Sequence, residues 1–222
     1  RLARGWEAAR RLLPLADDDP LARRAAVLLA AADEARRSPT ALEAYRRDAA
    51  EFEAELAPWV TRVQEGQRRV VELRARLPEQ IDAALALAAP WACLAEHVAF
   101  IQQRAADFER TQARLAAARR RRDAEPLLAE QEAIEREVAE RQAVLAHQAD
   151  RLRFLETDVN QILAMAAGET AELPPDDPSL AKRERALSLI GHHTAQAHAA
   201  TRYEDASLAL SRAADLANRL AL

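Results

Sequence analysis

RLAAARRRRDAEPLLAEQ, residues 114 to 131, sets four arginines (Arg119, Arg120, Arg121 and Arg122), Asp123 and Pro126 between two long helical patterns. Before it, Leu94, Val98, Ile101, Ala105, Phe108, Gln112 and Leu115 are separated by alternating steps of four and three. After it, Gln131, Ile134, Val138, Arg141, Leu145, Gln148, Leu152, Leu155, Val159 and Ile162 follow the same rule. An apolar residue every 3.5 positions draws one narrow seam along a helix, and another helix has to cover that seam. Because only a few residues separate the two stripes, an antiparallel coiled-coil hairpin over about 91–165 is the short route to cover it. Each arm of roughly 30 to 40 residues would extend about 45 to 60 Å. Asp123 is placed to cap the returning helix, with Glu125 and Pro126 in its first turn.

The composition agrees with that stretch. Half of the 222 residues are apolar, but only 4% are aromatic, 31% are charged and Gly numbers 4. Ala, Leu, Glu, Arg and Gln in such proportions make long helices. No run rich in Val, Ile, Thr or Tyr reads as a strand, and there is no Asn-Gly hairpin turn. The expected fold class is all-α, an elongated helical bundle built on the hairpin.

The flanking regions divide the chain further. Residues 1–39 read as short N-terminal helices interrupted by Pro14 and by the DDDP at 17–20, where Asp19 and Pro20 form a cap and first-turn pair. Residues 40–165 form the long-helix bundle. Within it Leu42, Tyr45, Ala49, Phe52, Leu56, Trp59, Val63, Val70, Leu73 and Leu77 carry a third heptad stripe that passes over Gly66. Pro58 is expected to kink this helix, and Pro78 to end it and begin a short segment to Ala89. Residues 166–179 read as an acidic, proline-rich linker, and 180–222 as a C-terminal helical region that Gly191 would break.

Gln112, Gln131, Arg141 and Gln148 fall on seam positions. Polar side chains there either lie wet where the bundle is thin, or are covered by a third helix, for which the 40–77 stripe is the candidate.

Charge and motifs narrow the function. Net charge is −4, from 32 basic and 36 acidic residues, so no overall field attracts a polyanion. Cys93 is alone, which excludes an intramolecular disulfide and favours a reducing, cytoplasmic setting. The longest apolar run, 83–95, is shorter than the ~20 residues of a membrane span. His192, His193 and His198 lack the three- or four-residue spacing of a helical metal pair and are expected to form a polar helix face. Glu96 and His97 stand without a nucleophile or a glycine-rich phosphate loop beside them. No cofactor, metal site or catalytic residue is therefore expected, and no enzymatic activity. Trp59 and Trp91, each following a proline, are expected in the core.

Two functions remain. One is a non-enzymatic scaffold or adaptor acting through coiled-coil contacts with itself or another helical protein. Its seam is Leu94, Val98, Ile101, Phe108, Leu115, Ile134, Val138, Leu145, Leu152, Leu155, Val159 and Ile162. The other is an arm of a DNA-associated or membrane-remodelling assembly, in which Arg119 to Arg122 at the tip contact phosphate groups. Four adjacent arginines point all around a helix, however, so a solvated tip with its nearby carboxylates is the simpler expectation for them.

Overall fold

A computed structural model of the chain describes residues 2–171, 177 and 179–221. Among the described residues there are seven α-helices, one 3-10 turn and no strand, so the chain is all-α. The helices are α1 (Leu2–Leu12), α2 (Pro20–Ala35), α3 (Pro39–Ala88), α4 (Ala95–Ala117), α5 (Arg121–Ala171), α6 (Leu180–Ala199) and α7 (Tyr203–Ala221). The 3-10 turn, Ala92–Leu94, leads into α4.

Local signals set several of these ends. Asp19 has extended backbone and its side chain accepts the Leu21 amide at 2.9 Å, which caps α2 with Pro20 in the first turn. In α3 the heptad stripe is buried from Phe52 through Leu56, Trp59, Val63, Val70, Leu73 and Leu77 to Ala84. That burial corrects the expectation at Pro78. The stripe steps one further heptad from Leu77 to Ala84, and α3 runs unbroken through both Pro58 and Pro78. A proline in a helix frees the carbonyl four residues before it. Both prolines are exposed, as are Ala54 and Arg74, so each freed carbonyl lies on a side that water reaches.

Other boundaries also move. α5 begins at Arg121, two residues before Asp123, so Pro126 stands inside the helix rather than at its opening. It also continues to Ala171, into the stretch expected as linker, while residues 172–176 and 178 of that stretch lie outside the described residues. α6 passes through Gly191 without a break, because its buried positions Ile190 and Ala197 hold one face across it. It opens at Leu180, after Asp177 Oδ1 accepts the Ser179 amide at 2.7 Å. None of the helices among the described residues is long and apolar enough to cross a membrane.

The chain divides into two compact units, one of residues 1–77 and 104–136, the other of 78–103 and 137–222. This differs from the linear division read from sequence, because α3, α4 and α5 each supply residues to both.

In the first unit α3 runs antiparallel to α4 and parallel to α5. Arg74 of α3 donates to both carboxylate oxygens of Glu109 on α4, at 2.8 and 2.6 Å. Along α3 and α5 the partners rise together: Gly66 abuts Leu128, Arg69 bonds Glu132 at 2.6 Å, and Arg76 bonds Glu135 at 3.2 Å. Gly66 occupies the place the stripe skips, and a Cβ there would stand 2.6 Å from Leu128 Cδ2. The missing side chain is what lets Leu128 seat against α3. Around it lies a core of Trp6, Leu13, Leu21, Leu28, Phe52, Leu56, Trp59, Val63, Leu115 and Leu127, with Trp6 edge-on to Phe52 at 6.2 Å. Each such side chain contributes about 1.5 to 3 kcal/mol through burial.

The second unit buries Trp91, Leu94, Ile101, Leu145, Leu152, Ile190 and Leu210 almost completely. α6 and α7 pack on each other across a link of residues 200–202. The buried face of α7 is mostly alanine (Ala206, Ala209, Ala213, Ala214, Ala217), and small side chains let neighbouring helices approach closely. Val159 and Ile162 of α5 join Ile190, Ala213 and Ala217 in one cluster.

Candidate functional site

The arginine run occupies the corner between α4 and α5, within the first unit. Arg119 sits just past the end of α4 and donates to the carbonyls of Ala116 and Ala118, at 3.0 and 3.2 Å. These are carbonyls that a helix end leaves without a partner, and a cation there also meets the negative pole of the helix. Arg120 bonds Asp18 through its guanidinium. That contact holds the Asp18 carboxyl below its usual range and raises Arg120 in turn. Arg121 reaches Glu125 at 2.7 Å and Glu55 at 3.2 Å, and lies 5.6 Å from the centre of the Trp59 ring. Arg119 and Arg122 are both exposed, and Arg122 lies 3.6 Å from its neighbour Asp123.

The corner is therefore docked, not a free tip, and the segment that docks it is 16–19. The Ala16 amide donates to the Arg119 carbonyl at 2.7 Å. Asp19, 1% exposed, divides its carboxylate between two helices: Oδ1 takes the Leu21 amide and Oδ2 takes the Arg121 amide at 2.8 Å. The cap of α5 thus comes from 102 residues away instead of from Asp123. An open cleft of about 420 Å³ remains beside these residues, lined by Asp18, Asp19, Glu55, Glu125 and Arg120 to Arg122. With carboxylates matching the guanidiniums, it offers an anion no net positive well. The complementary runs of three aspartates and four arginines are the sequence signal that would have paired these segments.

The twelve apolar seam positions read from the heptads are all buried, from Leu94, Ile101, Leu145 and Leu152 at 0% exposure to Leu155 at 9%. The polar seam positions find polar partners, Gln112 and Gln131 with each other and Arg141 and Gln148 with a histidine beside the seam. In the first unit Gln131 Nε2 donates to Gln112 Oε1 at 2.7 Å, and Gln131 is 3% exposed. One position away, Thr111 donates to Glu130 at 2.9 Å. In the second unit His97, 4% exposed, lies 3.0 Å from Gln148 Oε1 through Nε2 and 3.2 Å from the Arg141 guanidinium through Nδ1. A guanidinium has no acceptor. His97 Nδ1 must therefore accept and Nε2 donate, which fixes the neutral tautomer. Arg141 also covers the Phe100 ring at 4.4 Å. His97 is the member that the heptads hid, because it sits beside the seam rather than on it. Two polar seam residues seven apart on α5, Arg141 and Gln148, were the signal that a polar partner faced them.

The three histidines of the 192–198 stretch are not brought together. His193 turns to Gln196, while His198 stacks on the fully buried Trp91 ring at 4.3 Å and 8°. His198 Nδ1 is 2.7 Å from the Pro90 carbonyl and Nε2 is 2.8 Å from Glu156 Oε1. Either neutral tautomer satisfies one acceptor and the protonated ring satisfies both. No group of three His, Cys, Asp or Glu among the described residues is placed to hold a metal ion. Trp6, Trp59 and Trp91 are all buried, and Trp91 Nε1 has no acceptor among the described residues. Burial pushes the Cys93 thiol up, away from the thiolate that would make it reactive.

No family model matches the chain, and no curated protein or solved structure does.

Proposed function

We propose that the chain is a non-enzymatic helical scaffold or adaptor, whose coiled-coil-like seam serves as its internal support. The observation that carries this reading is the pairing of the polar seam positions inside each unit: Gln112 bonds Gln131, and Gln148 and Arg141 both meet His97. Buried polar pairs cost stability and fix register, so a chain that keeps them is built to hold one helix arrangement. With the seam used internally, partners meet the outer helix surfaces, and the partner is another helical protein or a second copy.

The phosphate-contacting alternative is disfavoured by the carboxylates already on Arg120 and Arg121. Light scattering after size exclusion, at low and high salt and with and without a short DNA duplex, separates the two readings. A mass that ignores both duplex and salt is expected. A duplex-dependent shift at low salt that disappears in Arg119→Glu with Arg122→Glu would refute the scaffold reading, since phosphate contacts make affinity fall with salt.

A further inference from the structure

In the second unit His198 joins three parts of the fold. It stands in the last turn of α6, and its ring lies flat on that of Trp91, which is 0% exposed. Pro90 and Trp91 lie in the corner between α3 and α4. His198 Nδ1 is 2.7 Å from the Pro90 carbonyl in that corner, and Nε2 is 2.8 Å from Glu156 Oε1 on α5.

Both oxygens are acceptors, and neither a carbonyl nor a carboxylate has a hydrogen to give. A neutral imidazole carries one N–H, so one of its nitrogens turns a lone pair toward an oxygen at hydrogen-bond distance. The imidazolium carries two N–H groups and donates to both. Two further features favour the cation here. A helix C-terminus is a negative pole, and the face of an indole attracts positive charge. His97, the buried histidine of the same unit, is built the opposite way, because its Nδ1 accepts from Arg141.

We infer that His198 is an acid-tightened latch, which fastens the end of α6 to α5 and to the α3–α4 corner when its ring is protonated. A group whose protonated form gains partners on folding adds stability at low pH. That contribution is lost as pH rises through the ordinary histidine range, about 6 to 7. The latch therefore holds in mild acid and loosens toward about pH 8. The loosening is local, because Ile190, Ala213 and Ala217 stay packed with Val159 and Ile162 of α5.

Glu156 is the carboxylate that meets the ring. Around the joint, Glu204 and Glu96 lie near Cys93 in the 3-10 turn, whose thiol burial and these two charges push up. Arg202, just past α6, pairs with Glu204 at 3.8 Å. His193 lies earlier on α6 and turns to Gln196.

The test is hydrogen exchange of the whole chain, read as protection factors so that the intrinsic pH dependence of exchange divides out. Amides of residues 194–199 should be protected about threefold to tenfold more at about pH 5.5 than at about pH 8. Glu156→Gln separates a latch from mere packing. Its carboxamide can donate to Nε2 of a neutral ring whose Nδ1–H serves Pro90, so protection should stay at the acid level at both pH values. His198→Phe keeps a flat ring against Trp91 but has no N–H, and should give low protection throughout. A circular dichroism melt checks that both variants fold. Native protection that does not change with pH overturns the latch, and so does a change that survives in Glu156→Gln.

Discussion

The contact of Gly66 with Leu128 predicts a substitution whose effect changes sign with its background. In the native chain a Cβ at position 66 would stand 2.6 Å from Leu128 Cδ2, and Leu128 is 2% exposed with its neighbours packed around it. Forcing a methyl group into such a site costs about 1 to 3 kcal/mol. Replacing glycine by alanine inside a helix returns about 1 kcal/mol. Gly66→Ala alone is thus expected to destabilise the chain by about 0 to 2 kcal/mol. Leu128→Ala alone should cost about 2 to 5 kcal/mol by opening a cavity. With Leu128 truncated the clash is gone, so Gly66→Ala should now stabilise by about 1 kcal/mol.

The coupling between the two changes is then about 1 to 3 kcal/mol, well above the ~0.5 kcal/mol scatter of independent sites. Urea denaturation followed by far-UV circular dichroism measures the four corners of the cycle. Because the chain holds two compact units, hydrogen exchange of peptides around positions 66 and 128 is read beside it, so that unfolding of the first unit alone is seen. Additive effects, or a Gly66→Ala that behaves alike in both backgrounds, would refute the packing argument.

Three other outcomes follow from the same structure. Asp19→Ala removes a cap from α2 and one from α5, and should cost about 2 to 4 kcal/mol in urea denaturation. Asp19→Asn, with one acceptor oxygen, should cost about half as much; a cost no larger than that of Asp17→Ala would sink the double-cap account. Gln112→Leu with Gln131→Leu should raise stability by about 1 kcal/mol, because Gln131 Oε1 is buried without a partner, while a single set of amide NMR peaks splits as register loosens. The Arg74 guanidinium holds the Glu109 carboxyl below its ordinary value. A lowered folded-state value adds stability above the unfolded value, and this is lost as pH falls through the lowered one. Glu109→Gln should therefore flatten the acid limb of urea midpoint against pH, an effect kept small by the half-exposure of both side chains.

What the sequence revealed and what it hid divide along a physical line. A heptad is a property of one helix. Leu94 to Leu115 and Ile134 to Ile162 could be assigned to one buried face before any partner was known, because 3.5-residue spacing permits no other. Pro78 misled for the opposite reason. A proline breaks a helix only if its freed carbonyl finds no substitute, and whether water reaches Arg74 depends on where the neighbouring helices lie. Asp19 read correctly as the cap of α2, because that bond is two residues long. Its second bond, to Arg121, spans 102 residues and is written in no local pattern.

The arginine corner shows how the same limit bears on function. Charge in the sequence is a sum over formal sites, whereas a partner meets only what the fold leaves unpaired. Asp18 and Glu55 cancel much of Arg120 and Arg121. Because the twelve apolar seam residues are buried, the motif that decides the fold leaves them no surface for a partner to meet.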